Sequence, residues 1–408
     1  MNCRFCKNTL THEFADLVNS PPSNSYLRAE QLNEPETFFP LRVFVCEKCF
    51  LVQIDEYKKA DEIFDENYAY FSSFSTSWLA HSKKYVEMMT ERFGFNEHSQ
   101  VIEIASNDGY LLQYFAEKNI KVLGIEPTLS TAQAAREKGI ESWTEFFGVN
   151  LAEKLKAENR QADLLLGNNV LAHVPDLNDF VGGLKIALKT NGVVTMEFPH
   201  VLQLVENNQF DTIYHEHFSY LSLYTVKEIF ASKGLEIFDV QEIPTHGGSL
   251  RIFAKHAENE THEQSVNVEK LLEKEKQFGL TDIEYYLDFQ PKIEKVKLDL
   301  LAFLVEQKRA GKRVAAYGAA AKGNTLLNFC GVKKDLIEFV VDASPHKQGM
   351  FLPASHIPVV DESFIKREKP DFVIILPWNI KEEIFAQLNY IRDWDGKFAA
   401  AVPSLEIS

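Results

Sequence analysis

A chain of 408 residues is too long for one compact core and predicts two or three domains. Its 45% hydrophobic and 25% charged residues are the proportions of an ordinary globular protein, and no window approaches the ~18 uninterrupted apolar residues of a membrane span. The formal charge of −16, with a pI near 5.3, excludes the broad basic face that nucleic acid or an anionic membrane would need, and leaves only local basic pockets.

Met1 to Leu10 lack the apolar run of a signal peptide, so the expected compartment is the cytoplasm. Cys3/Cys6 and Cys46/Cys49 form two CxxC pairs of identical spacing, and two such knuckles aim four thiolates at one tetrahedral zinc ion. The 39 residues between the pairs exceed the usual ribbon loop. A redox pair or disulfides are the competing readings. A cytoplasmic chain disfavours stable disulfides, and a redox CxxC normally stands alone. With four sulfur ligands no position stays open for water, so the zinc is expected to be structural and to hold a domain of residues 1–66 together. The fifth cysteine, Cys330, lies in the apolar run "TLLNFCGV" and is expected to be buried.

From Val101 the chain alternates apolar strands with helices: "VIEIAS", helix "GYLLQYFAEKN", "KVLGIEP", helix "STAQAAREKG", "ADLLLGNN", helix "DLNDFVGGLKIALKT" and "GVVTMEFP". That rhythm predicts a doubly wound, Rossmann-like parallel sheet with its ligand outside the carboxyl ends of the strands. Helix "YTVKEIFASKG" and a closing strand pair, "LEIFDVQEIP" and "GSLRIFAKH", complete it. A charged helical stretch from Glu263 to Gly311 links it to a second, smaller α/β unit beginning at "KRVAAYGA". The fold class is therefore α/β, with domains at 1–66, 67–284 and 285–408.

In Glu103-Ile-Ala-Ser-Asn-Asp-Gly109 the acidic residue and last glycine stand where an ExGxGxG loop has them, while Ala105 and Asn107 replace the first two glycines and Asp108 precedes the third. Such a turn brings backbone and a helix N-terminus close to a ligand. Glu126, 23 residues after Glu103, ends the next strand, where a carboxylate accepts both ribose hydroxyls. NAD-binding sheets share this layout. The missing GxGxxG favours S-adenosylmethionine, which has no pyrophosphate to cradle. Asn168 and His173 lie at the same rim, with a turn former and a structural cap as their alternatives.

"FDTIYHEHFSYLS" concentrates Tyr214, His215, Glu216 and His217 in an apolar run. An extended backbone places His215 and His217 on one side, whereas a helical turn brings Tyr214 and His217 together. A general base, a metal clip without an evident third ligand, and a structural role all remain open at this point. Gly247-Gly248-Ser249 followed by Arg251, and the glycine turn after "KRVAAYGA" with Lys322, are candidate anion cradles. Asn324 replaces the lysine of a P-loop, which argues against ATP hydrolysis. Ser72 and Ser73 are candidates to bind substrate or to cap a helix.

Together, CxxC…CxxC, "EIASNDG", "GIEP", "NNVLAHVPD", "YHEHFSYLS", "HGGSLR" and "YGAAAKGNTLLN" resemble the sugar C-methyltransferases that act on nucleotide-linked deoxysugars, over nearly the whole chain. The resemblance implies a zinc-binding lid, a central S-adenosylmethionine domain, a C-terminal domain that helps hold the nucleotide sugar, and a monomer. It implies His217 as base, with Tyr214 and Glu216 as its partners, and an aromatic hydroxyl over the site from Tyr70 rather than Tyr68. His215 receives no such role. The expected reaction is methylation at C3 of a dTDP- or GDP-linked 4-keto-6-deoxysugar, because the carbonyl lets the neighbouring carbon lose a proton and act as a nucleophile. The rival classes are a nicotinamide oxidoreductase on the same sheet and a non-catalytic zinc-containing binding protein.

Overall fold

The apolar run Gln100–Ile104 forms an interior strand of a seven-stranded sheet, with Val101 to Ile104 buried. A computed structural model describes residues 1–57 and 71–408. Across the sheet the strands run Ser142–Trp143, Lys121–Ile125, Gln100–Ile104, Ala162–Asn168, Leu188–Pro199, Ser249–His256 and Leu235–Ile243. Neighbours are parallel except where Ser249–His256 runs antiparallel to both of its partners. The strand order reverses beside Gln100–Ile104, so the carboxyl ends around Glu103 and Asn168 are the ligand-binding rim of this Rossmann-like sheet.

Two helices are shorter than the sequence pattern predicts. Leu112–Ala116 covers only part of "GYLLQYFAEKN". Leu177–Ala187 begins where the Asp176 carboxylate accepts the Asn178 and Asp179 amides, and it stops where Leu188 already enters the next strand. The glycine pair in this helix has a packing reason: a Cβ at Gly183 would stand 2.8 Å from the carbonyl carbon of Gly148.

At the N-terminus, His12–Ser20, Phe39–Val45 and Val52–Ile54 form an antiparallel sheet, and Ser219–Tyr220 adds its edge strand by pairing with Val52 and Gln53. The chain therefore returns to the zinc-side sheet directly after the Tyr214–His217 motif. A third sheet contains Val359–Val360, Val340–Val341, Val314–Tyr317, Phe372–Ile375, Lys397–Ala400 and Glu406–Ile407, parallel but for the last. One hydrophobic core joins Phe14 and Val43 of the first sheet, Phe210 and Phe218 of the motif region, Phe289 and Leu300 of the long helix Phe289–Arg309, and Leu326 and Val340 of the third. The motif thus sits where the three units meet. Among the described residues, no helix is long and apolar enough to cross a membrane.

Candidate active site

Ala105, Asn107 and Gly109 all take left-handed backbone conformations, with φ of 55°, 50° and 74°. The loop therefore has the shape of three glycines although only one is present. A non-glycine residue pays about 1 kcal/mol for such a conformation, strain of the kind stored where backbone must approach a ligand. The Glu126 carboxylate closes the loop by accepting the amides of Asn107 and Thr128, each at 2.9 Å. Burial pushes its carboxyl above the usual range, and the two amides oppose that shift.

A pocket of about 200 Å³ opens at this rim, walled by Ala105, Asn107, Glu126, Asn168, His173 and Ser72 among others. Glu103, Asp108 and Gly109 lie behind the loop rather than on the wall. Glu103 is wholly buried and its carboxyl is pushed well up by desolvation. Asp108 is held by Lys138 at 2.9 Å, and Lys138 also reaches Ser73 at 2.8 Å. The pattern reading missed Trp78, Tyr110, Phe147, Asn169 and His246, which complete the wall. Asn169 at φ 58° carried a signal of its own, because a second asparagine after a buried strand marks a left-handed turn.

This pocket fits S-adenosylmethionine. Aromatic and aliphatic walls suit the adenine, Glu126 stands at a strand end where such sheets receive a ribose diol, and among the described residues both amide atoms of buried Asn168 lack a hydrogen-bond partner. In Glu126→Gln, S-adenosylmethionine affinity is expected to fall about 10- to 100-fold, the loss of one charge-assisted pair of hydrogen bonds. Calorimetric titration checks this, and an unchanged Kd would remove Glu126 from the ribose site.

The Tyr214–His217 segment is a tight turn, with the His217 amide donating to the Tyr214 carbonyl at 2.9 Å. It brings the tyrosine and the second histidine together. His217 Nδ1 lies 3.1 Å from the Thr212 carbonyl, so it carries the ring proton and donates it there. Nε2 then keeps its lone pair and accepts the Tyr214 hydroxyl at 3.0 Å. Burial, then the neighbouring His173, hold the His217 imidazolium well below its ordinary range. His173 packs edge-on against His217 with ring centres 4.6 Å apart and donates from Nδ1 to the Glu216 carbonyl at 2.8 Å. Burial lowers it to about 4. The base candidate is thus a neutral imidazole one ring away from the cofactor pocket.

Asn24 donates to both oxygens of the Glu216 carboxylate, at 2.8 and 3.1 Å. His215 turns the other way, packing edge-on against Phe39 and placing Nε2 3.2 Å from the Pro40 carbonyl. Tyr68 and Tyr70 lie outside the described residues.

His246, Gly247 and Gly248 all have positive φ, and the Ser249 hydroxyl donates to the Thr245 carbonyl. Glycine is required at 247, since a Cβ there would stand 2.5 Å from the Trp378 ring. Lys322 stands 4.7 Å over that same ring and donates to Asn379 Oδ1 at 2.6 Å. The Gly247 turn and Lys322, far apart in sequence, therefore converge on one tryptophan. Arg251, expected at the pocket rim, is instead buried on its strand. Its Nε donates to Glu197 Oε1 at 2.6 Å and its Nη1 to Gln241 Oε1 at 3.0 Å, and His81 completes the pair on the far Glu197 oxygen at 2.8 Å. The Glu197 carboxylate on the neighbouring strand Leu188–Pro199 captures the guanidinium, because an unpaired charge buried there would be costly.

The four cysteine sulfurs lie within 4.8 Å of one another, with Cys3 3.6 Å from Cys49 and Cys6 3.5 Å from Cys46. A tetrahedron of Zn–S bonds near ~2.3 Å places sulfurs about 3.8 Å apart, so the group fits a structural zinc. The two knuckles share one geometry. Lys7 and Phe50, each following its CxxC, have φ of 62° and 56° and donate their amides to the Cys3 and Cys46 carbonyls. Gln53 donates to Cys3 Sγ at 3.3 Å, an outer contact that orients the ligand.

Residues 3–64 match a zinc binding domain family, residues 79–240 a methyltransferase domain family, and residues 244–403 a C-methyltransferase C-terminal domain family. The chain is 32% identical over 401 residues to the C-methyltransferase NovU of Streptomyces niveus, covering 98% of this chain and 95% of that protein. Two solved structures are similar over part of its length. A SAM-dependent methyltransferase from Anabaena variabilis ATCC 29413 is 16% identical with a TM-score of 0.36, covering 44% of this chain and 86% of that one. A DhpI–SAH complex is 17% identical with a TM-score of 0.33, covering 46% and 92%.

Proposed function

As a member of the C-methyltransferase family that includes NovU, the chain is an S-adenosylmethionine-dependent C-methyltransferase, and we propose that its acceptor is C3 of a nucleotide-diphosphate 4-keto-6-deoxysugar. The observation that carries this reading is the fixed tautomer of His217: a neutral imidazole, its lone pair on Nε2, beside the cofactor pocket and paired with a phenol. Methylating carbon needs a base for a C–H proton and a donor for the oxygen that becomes negative. A ketone supplies the acidity.

S-adenosylmethionine, when bound, supplies a methyl group on a positively charged sulfur. His217 Nε2 takes the proton from the carbon beside the ketone, and the C–H electron pair passes into the enolate. The Tyr214 hydroxyl, released from Nε2 by that protonation, turns its O–H toward the enolate oxygen. Glu216 holds the turn against Asn24. The carbon so activated would take the methyl group from bound S-adenosylmethionine, with the S–C bonding electrons left on sulfur. On this reading residues 1–66 form the zinc unit, 67–284 bind the cofactor and 285–408 hold the nucleotide. The Gly247–Ser249 turn and Lys322 meet the diphosphate.

Incubating the enzyme in D₂O with dTDP- and GDP-linked 4-keto-6-deoxysugars, S-adenosylhomocysteine replacing the methyl donor, is expected to place deuterium at C3 of one of them. With S-adenosylmethionine the same sugar gains a methyl group. No exchange and no methyl transfer with either would sink the nucleotide-sugar reading and leave the C-methyltransferase assignment standing.

A further inference from the structure

Thr212, whose carbonyl fixes the His217 tautomer, lies between two residues that the C-terminal unit grips. On one side Trp378 donates its indole N–H to Asp211 Oδ2 at 2.7 Å. On the other the Thr325 hydroxyl donates to the Ile213 carbonyl at 3.0 Å. Both donors stand at carboxyl ends of parallel strands, Trp378 after Phe372–Ile375 and Thr325 in helix Ala321–Cys330 after Val314–Tyr317. That is the side on which such a sheet meets its ligand. The two grips are tied together, since Lys322 on the same helix bonds Asn379 and stands over the Trp378 ring.

Asp211 is not explained by packing. It is wholly buried, and among the described residues its second oxygen, Oδ1, has no hydrogen-bond partner. A neutral residue of the same size would be less costly at that position. Burial raises its carboxyl to about 6, opposed by the Lys322 charge, the Trp378 indole and the Asp211 and Thr212 amides.

We propose that Asp211, Trp378 and Thr325 are positioning residues that clamp the Thr212 carbonyl, and so make the orientation of the His217 base depend on the C-terminal helix carrying Lys322. Asp211 and Ile213 are neighbours of Thr212 in the chain, so loosening either grip lets the intervening carbonyl rotate. Nδ1–H then loses its acceptor, and the imidazole is free to exchange into the tautomer whose Nε2 is protonated and cannot act as a base. This rests on the reading of His217 as base, but its primary readout does not need the substrate.

The test uses the full-length, zinc-loaded enzyme with S-adenosylhomocysteine and ¹⁵N-labelled histidine, the His217 signals being assigned by their loss in His217→Asn. Wild type is expected to show the Nδ1–H tautomer at position 217. Trp378→Phe and Thr325→Val are each expected to populate the Nε2–H tautomer and to lower kcat about tenfold, with KM and S-adenosylhomocysteine affinity within about twofold. Asp211→Asn, whose amide oxygen still accepts from the indole, is expected to retain more activity than Asp211→Ala. A wild-type tautomer with unchanged kcat in both Trp378→Phe and Thr325→Val overturns the proposal, as does a change confined to KM. Thr325→Val is nearly isosteric and keeps the test decisive should Trp378→Phe misfold. If the nucleotide-sugar reading fails, wild type shows no exchange at the sugar carbon while the tautomer comparison remains valid.

Discussion

In His217→Asn, kcat for methyl transfer is expected to fall by about 10²- to 10⁴-fold, the span that a positioned general base supplies. S-adenosylmethionine affinity should change little, because His217 is not on the cofactor wall. Deuterium exchange at the acceptor carbon should be lost in parallel, and undiminished exchange in this variant would exclude His217 as the base. The pH profile is a second check. Because burial holds its imidazolium well below the ordinary value of 6.5, the group stays neutral, and competent as a base, as pH falls through 6.5. The acid limb of kcat/KM is therefore expected below 6.5, and a limb at or above it would point to a more exposed histidine. His215 does not substitute, since its Nε2 faces the Pro40 carbonyl of the N-terminal sheet.

Local chemistry was legible in the sequence where one short segment carries the whole constraint. "EIASNDG" predicted a glycine-like loop, and the left-handed angles at Ala105, Asn107 and Gly109 follow from that turn alone. Each CxxC predicted one pair of sulfurs in the same local way, and the identical spacing of the two pairs predicted that they share one four-sulfur cluster. "YHEH" was ambiguous because period two and a tight turn give opposite pairings. The turn prevailed because His217 is held from both sides, by Thr212 and Tyr214, while His215 fills an aromatic gap beside Phe39. Features that depend on distant segments stayed hidden. Trp78 and His246 reach the pocket from a helix and a loop on opposite sides of the sheet's sequence, and no periodicity links them. Arg251 read as an anion contact because it follows two glycines, yet register on the central sheet places it opposite Glu197. The partnership of Asp211 with Trp378 spans 167 residues and left no local trace.

Replacement of Cys46 by serine is expected to release the zinc and disable the whole active site, although the metal itself performs no chemistry. Wild-type enzyme should carry one zinc per chain by elemental analysis. Four thiolate ligands in a buried cluster make metal binding part of folding, on the order of 10 kcal/mol in isolated zinc modules. Part of that loss should appear as a fall in Tm of more than about 10 °C. The damage should extend beyond residues 1–57. Val52 and Gln53, a few positions after the second knuckle, pair with Tyr220 and Ser219, which follow His217 after one intervening residue, Phe218. Gln53 also braces Cys3 through its amide and the Arg4 backbone through its carbonyl. Loss of the cluster thus loosens the strand that anchors His217, so kcat should fall with metal content rather than independently of it. Cys330→Ala serves as the control, because that thiol is buried in the C-terminal unit, far in sequence from the cluster, and should leave zinc content unchanged. Full zinc content and an unshifted Tm in Cys46→Ser would show that the four sulfurs do not share a metal. Retained zinc loss with undiminished kcat would break the proposed mechanical link between knuckle and base.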